Sequence, residues 1–405
     1  GATNSPAPIP APMIMRVIDI LQSGISGVSI VTRLRLAAAV LVTGVVTAAS
    51  GACALLDPTP DLAPSSSRLA LLDALVHPSG TSYPMLTGPD RFGSLSGLAH
   101  DPASGDWVGV IDDREDSRIA WLSVAFDGGR LDVSPRRMER LRPGPGVPDR
   151  VATQADLEGI AVLADGTLIV TEEGHERDGE AWQPALLRLT PDGVVTQVIE
   201  FPPAYRIIGD TSGVRPNQGF ESVTGTPDGR LIAGLEQPLI QDGEVSFDRA
   251  GRGRLVEFVP AGGTFRPGRE WTYMLAATPR VGGLGEVCAD GQNGLVELVA
   301  LSNTRLLALE RACLLIKAGT GTMESLAVNP VRIYAVDLSS DPVRKTLLLD
   351  LGSIRDRLPP DLARLENFEA MAYGPLVNNA RTLLVASDDN FRKTQKTAFL
   401  LFQLR

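Results

Sequence analysis

The sequence predicts an all-β protein, a β-propeller of four-stranded antiparallel blades, on three observations. A hairpin with polar or acidic residues at its free ends recurs five times, successive copies start 62, 63, 76 and 72 residues apart, and two further strand-like segments follow each of the first four. A period this long belongs to a repeat architecture whose unit is a small sheet. Thirty prolines and 41 glycines in 405 residues also fit many turns and few long helices.

The first copy runs from Ser96-Gly97-Leu98-Ala99 through Trp107 to Ile111, ends in Asp112 and Asp113, and continues with strands over 118–126 and 131–141. The second is the clearest. Its segment 156–173, DLEGIAVLADGTLIVTEE, reads as strand, Asp-Gly turn and strand with carboxylates at both ends, followed by strands over 185–189 and 194–201. A third starts at Glu221 and turns at Asp228-Gly229. It ends at Glu236, with strands over 254–259 and 271–275. The fourth is taken from Glu297 to Glu310, with strands over 331–338 and 345–351. The fifth starts at Glu369, ends at Ser387-Asp388-Asp389 and has one more strand, 397–404. The isolated segment 68–76 is expected to supply its missing fourth strand and close the ring, removing exposed edges. Five repeats are visible; a sixth within the long inserts stays open.

In an antiparallel hairpin the start of the first strand lies beside the end of the second. The acids of every copy should therefore gather on one rim of the propeller. The insert 202–219 precedes Glu221 and is expected on that rim, where loops carry function.

Outside the propeller, residues 1–53 read as an extension plus an export signal. Arg33 and Arg35 precede the apolar run 36–49 and the small residues Ser50-Gly51-Ala52, which is a secretory signal pattern. Cys53 directly after them also fits a lipoprotein signal and a membrane tether, although Ser50 stands where leucine is usual. Residues 54–67 form a Pro/Ser-rich linker, and 68–405 form the propeller domain. Periplasmic, extracellular or lipid-anchored placement follows. In an oxidising compartment Cys288 and Cys313, which flank the fourth hairpin, are expected to form a disulfide. A net charge of −10 argues against nucleic acid as a partner.

Several stretches resemble the phytase-like family, described by esterase-like activity of phytase. They are Leu95-Ser96-Gly97-Leu98-Ala99, Asp113-Arg114, Asp156-Leu157-Glu158-Gly159, Arg215 to Glu221 (RPNQGFE), Leu307 to Arg311 (LALER), Asn367-Phe368-Glu369 and Ser387 to Phe391 (SDDNF), and the likeness covers about 91–405. The resemblance implies a secreted or surface propeller with phosphoester or ester hydrolase activity on a small molecule; a monomer is expected. It also brings in calcium-dependent phytase and lactonase propellers, whose carboxylate-lined mouths bind metal. The chain departs from the glutamate-glycine pattern at Ser96, Glu221-Ser222 and Glu369-Ala370.

Clustered carboxylates repel, and a hard divalent cation relieves that repulsion. Oxygen ligands suit Ca²⁺, with Glu158, Glu221, Glu369 and Asp389 as first candidates and Glu172, Glu236 and Asp112 as second. Arg114, Arg215 and Arg311 are candidates for gripping phosphate oxygens, and His175 for general acid or base. The plain alternative gives these acids to turn capping and arginine pairing, which makes the propeller a ligand- or protein-binding module. The nearest approach to a nucleophile elbow, Gly93 to Gly97, has Leu95 where serine is required, and no phosphate loop, dinucleotide fingerprint or zinc motif occurs.

Overall fold

Hairpin formation starts at the Asp-Gly turns, where Gly166 and Gly229 take φ of 79° and 84°, a region costly for any residue with a Cβ. The computed structural model describes residues 68–78, 81, 83, 91–177, 179–280, 288–317, 323–325 and 329–405. The export signal, the linker and Cys53 lie outside the described residues.

Five antiparallel four-stranded sheets form a propeller. The first holds Leu95–His100, Trp107–Ile111, Arg118–Asp127 and Arg130–Arg140 in that order. The second holds Leu157–Val162, Leu168–Glu172, Ala185–Leu189 and Val194–Glu200, and Arg142–Pro143 adds a short parallel edge. In the third, Phe220–Gly225 and Leu231–Leu235 are followed by Gly251–Ala261 and Thr264–Leu275, both longer than the sequence suggests. Pairing across the Gly262-Gly263 turn continues to the top of that blade. The fourth contains Cys288–Ala300, Arg305–Lys317, Val331–Asp337 and Arg344–Asp350. In the fifth, Asn367–Tyr373, Thr382–Asp388 and Lys396–Leu404 are joined at the outer edge by Leu69–Pro78, antiparallel to the C-terminal strand.

Each innermost strand packs against that of the next blade, and the fifth packs against the first. Between every pair of blades lies one apolar cluster, such as Phe399 on Trp107 and Leu122, or Phe220 on Phe201 and Ile169. Side chains of this size stabilise by about 1.5–3 kcal/mol each when fully buried. The core is thus divided among five interfaces around a central axis.

One irregularity recurs in all five blades and sets up that axis. The pairs Leu95↔Ile111, Leu157↔Glu172, Phe220↔Leu235, Leu295↔Glu310 and Phe368↔Ser387 are each followed by a register shift on the first strand. The shifted residues are Ser96, Glu158, Glu221, Val296 and Glu369. A bulge re-aims the side chain it carries. The fourth copy is therefore phased on Val296, and Glu297 stands one position beyond the acids it was grouped with. Its counterparts are Gly97, Gly159, Ser222 and Ala370. Small residues are needed there because a Cβ on Gly97 would come within 2.3 Å of the Glu158 carbonyl oxygen.

Glu297 is the one long side chain at that level. It is buried on the axis, where its carboxylate accepts from the backbone N–H of Leu298 at 2.9 Å and of Leu98, in the first blade, at 3.4 Å. The cavity at the opposite end of the axis, about 330 Å³, starts one residue further on at Leu98, Ile160, Leu298 and Met371.

The expected disulfide does not form: Cys313 is a free thiol. The strand register places Cys288 opposite Ile316 and Cys313 opposite Gln292, so the two cysteines are staggered by three positions. At about 3.4 Å of rise per residue, that offset is roughly 10 Å, beyond disulfide reach.

Candidate functional site

The bulge turns Glu158, Glu221 and Glu369 into a cavity of about 470 Å³ at one mouth of the axis. A second ring comes from the residue just after each opposing pair: Asp112, Glu173, Glu236, Arg311 and Asp388, all of which line the same cavity. The sequence argument that hairpin ends converge is borne out. Two rings of unequal character meet there, and Ser96 and Val296 break the acidic run of the first, Arg311 that of the second.

Crowding is greatest between the first three blades. Oxygens of Glu158, Glu173 and Glu221 lie within 4.8 Å of one another, as do those of Asp112, Asp156 and Glu158, so Glu158 belongs to both groups. Burial pushes Glu158, Glu173 and Glu221 well above the usual carboxylate range, and their acidic neighbours add to the shift. Burial also raises Asp112 and Asp388 to about 7, with further help from Asp388 and Asp156 on the first and from Glu369 on the second. These groups hold protons that a bound cation would displace.

Two arginines reach this ring. Arg311, with its side chain 13% exposed, bonds to Glu369 and stands 4.0 Å from Glu236; desolvation works against its charge, but Glu369, Glu236 and Glu221 outweigh it and raise its pKa. Arg114 pairs with Asp156 at 2.7 Å and bonds to Asn217. Asn217 takes φ of 65°, held by its backbone N–H donating to the Gly174 carbonyl at 3.0 Å. The insert 202–219 thus does deliver cavity-lining side chains.

Other expected residues are placed elsewhere. Asp389 is fully buried but faces away from the cavity, accepting from Ser94 N at 2.9 Å, Phe391 N at 3.0 Å and Thr397 Oγ1 at 3.0 Å. Its neighbour Asp388 faces the cavity, because successive strand residues point to opposite faces. Alternation also separates Glu172 from Glu173. Glu172 accepts from Asp156 N at 2.7 Å and meets His175 Nδ1 at 3.2 Å. His175 is buried against Trp182, ring centres 4.9 Å apart, and does not line the cavity. Arg215 spans a loop, donating to Pro238 O at 3.2 Å and Gly243 O at 3.0 Å. Glu310, from the fourth hairpin, is consumed by Tyr273 OH at 2.9 Å, Asn293 Nδ2 at 2.8 Å and Lys345. Glu173 and Asp388 are the ring members the sequence reading passed over as ligands, and Asp156 is a buried acid grouped with Asp112 and Glu158 that it also passed over.

The donor set suits a hard cation. Carboxylate and amide oxygens line the cavity, no histidine does so among the described residues, and Glu221 Oε2 is buried with no hydrogen-bond partner. An orphaned buried carboxylate oxygen beside two other acids costs free energy that a cation returns.

Fold and site together define a five-bladed β-propeller with a carboxylate-rich mouth. The chain belongs to the phytase-like family, described by esterase-like activity of phytase, whose sequence model matches residues 90–391. That membership supports a hydrolase-type function. Among solved structures the chain is similar to a mannose phosphorylase from Leishmania mexicana, at 12% identity over 76% of this chain and 82% of that one, TM-score 0.36. A gluconolactonase from Xanthomonas campestris shares 11% identity over 81% and 97%, TM-score 0.31. An endo-arabinase from Bacteroides thetaiotaomicron shares 8% over 78% and 94%, TM-score 0.40. No curated protein matches the chain.

Proposed function

We propose that the protein is an exported, metal-dependent hydrolase of phosphoesters or related esters, acting at the carboxylate-rich mouth. The observation that carries this reading is the orphaned Glu221 Oε2 beside Glu158 and Glu173, an oxygen site prepared for a cation. Calcium is the favoured ion, since the clustered donors Glu158, Glu173 and Glu221 offer hard oxygens. When bound, such an ion supplies a Lewis acid toward a phosphoryl or carbonyl oxygen. Glu158, Glu173 and Glu221 would hold it, with Asp112 and Asp156 completing the shared side of Glu158.

The chain's own residues orient the substrate. Arg114, with its side chain 37% exposed, presents its planar fork at the cavity edge, while Asp156 and Asn217 fix its direction. Deeper in, Arg311 offsets the charge of Glu369 and Glu236, so an anionic substrate meets less repulsion on the fourth-blade side.

The test is hydrolysis of phytate, an aryl phosphate, an aryl acetate and a lactone by the purified propeller, with calcium and with chelator. Chelator-sensitive turnover that falls in Glu158→Gln and Glu221→Gln supports the reading and identifies the ester class, the lactone arm included. Absence of turnover, with calcium changing neither melting temperature nor binding, would replace it with a ligand-binding propeller. Export, with or without lipid on Cys53, is read by mass spectrometry of the mature N-terminus.

A further inference from the structure

His175 lies outside the acidic mouth but is tied to it. It is 2% exposed, so solvent does not satisfy its ring nitrogens. Nε2 has no hydrogen-bond partner among the described residues, whereas Nδ1 meets Glu172 Oε1 at 3.2 Å and lies 3.9 Å from Asp156 Oδ2. A buried polar atom without a partner costs free energy, and a hydrocarbon ring would fill the same space without that cost. What a hydrocarbon could not supply is the contact through Nδ1.

From that contact a line of bonds leads to Arg114. The other oxygen of Glu172, Oε2, accepts from the backbone N–H of Asp156 at 2.7 Å. Asp156 is fully buried, and its Oδ2 holds Arg114 at 2.7 Å. The second anchor of Arg114 is set by the same short segment, since Gly174 O accepts from the N–H of Asn217, whose side chain bonds to Arg114. Residues 172–175 thus fix both supports of an arginine that reaches the cavity. The segment is itself pinned from behind: His175 pairs with Trp182 across the short hairpin of His175–Arg177 and Glu180–Trp182, with ring centres 4.9 Å apart.

Resting on the hydrolase reading above, we infer that His175 is a positioning residue for Arg114, acting through Glu172 and Asp156 on the guanidinium that orients the substrate. His175 itself does not line the mouth. Each link is a polar contact between buried groups in a close-packed interior, so a shift of the Glu172 carboxyl is passed on to Asp156 rather than absorbed. Alignment matters at the far end of the line, because a guanidinium grips an oxyanion through two parallel N–H bonds in a fixed fork.

The test uses the full chain with calcium and butyl phosphonate, a non-hydrolysable oxyanion that stands in for a phosphoester and for the tetrahedral stage of ester hydrolysis. Binding is measured by calorimetry on wild type, His175→Phe, His175→Asn, Arg114→Gln and the pair His175→Phe/Arg114→Gln, with melting temperature as the control for stability. His175→Phe keeps a ring against Trp182 and removes the nitrogen. It should weaken binding about tenfold, short of the roughly 100-fold that a misplacement of about 1 Å can cost. His175→Asn puts an amide nitrogen near the place of Nδ1 and should recover most of that loss. In the Arg114→Gln background His175→Phe should change affinity no further. If His175→Phe does not fold, Glu172→Gln breaks the same link from its other side and should weaken binding as much. Binding by His175→Phe as tight as by wild type, no recovery in His175→Asn, or an equal loss with and without Arg114 overturns the positioning role and leaves the hydrolase reading standing. No binding of butyl phosphonate by wild type, with calcium present, overturns both.

Discussion

The second and fourth blades are built on one plan and put to opposite use. Each begins with a bulge after a paired leucine, Leu157 in one and Leu295 in the other, and each ends its second strand at the same mouth. The second blade fills its two inward positions with Glu158 and Glu173; the fourth fills them with Val296 and Arg311. Val296 points into the apolar interface with the fifth blade rather than into the cavity. Backbone geometry in this propeller is repeated, whereas chemistry is assigned position by position. The fourth blade gives up two acids and supplies in Arg311 a cation that offsets the charge of Glu369 and Glu236 in the remaining ring.

The comparison breaks most sharply at Glu158, shared by both acidic groups. Glu158→Gln is expected to weaken calcium binding at least about 100-fold, the upper end even for losing an outer partner of a bound metal. Turnover should fall by about 1,000-fold, comparable to removing a dedicated electrostatic group from an active site. Calorimetry and steady-state assays read both. An equal loss on changing Asp389→Asn would mean the facing acids have been misassigned.

On the fourth-blade side, Arg311→Gln leaves Glu369 and Glu236 without their counter-charge. Breaking a buried pair from one side costs about 3 kcal/mol, so the melting temperature measured with chelator should drop. The drop should shrink when calcium is added, because the cation replaces the lost charge. A variant as stable as wild type in chelator would show that the ring manages its charge by protonation alone.

The acidic side has its own signature in pH. Folded Asp112 and Asp388 keep their protons up to about 7, whereas an unfolded aspartate loses its proton near about 3.9. Between those values the folded chain binds more protons than the unfolded one, so stability falls as pH rises through that window. Thermal melts in chelator should show a lower midpoint at about pH 8 than at about pH 5.5, and calcium should reverse the trend. The smallest effect belongs to Arg215→Gln. Its hydrogen bonds serve a loop outside both rings, so stability should fall by about 1 kcal/mol with turnover unchanged.

Much of this was legible in the sequence. Asp-Gly turns and the 62-to-76-residue spacing gave the blades, and hairpin geometry placed Glu158, Glu221, Glu236, Glu369 and Asp112 together. Adjacent acids were harder. Between Glu172 and Glu173, or Asp388 and Asp389, only the register after the bulge decides which side chain faces the axis, and a bulge leaves no mark in composition. The same one-residue slip grouped Glu297 with the ring acids. Arg215 and His175 were placed away from the cavity for other reasons: Arg215 donates to Pro238 and Gly243 more than twenty residues on, and His175 pairs with Trp182 in a short hairpin that the sequence reading did not identify.

Glu297 has a final consequence. The hole through a propeller is an open corridor when small side chains surround it, and Gly97, Gly159, Ser222 and Ala370 would leave one here. The Glu297 carboxylate, tied to the backbone of Leu98 and Leu298, makes the corridor a dead end. A ligand that enters the acidic mouth has to retreat the way it came, past the ring that bound it. On the proposed hydrolase reading, product and fresh substrate would compete for one doorway, and traffic through it would set an upper bound on how fast the mouth is reused.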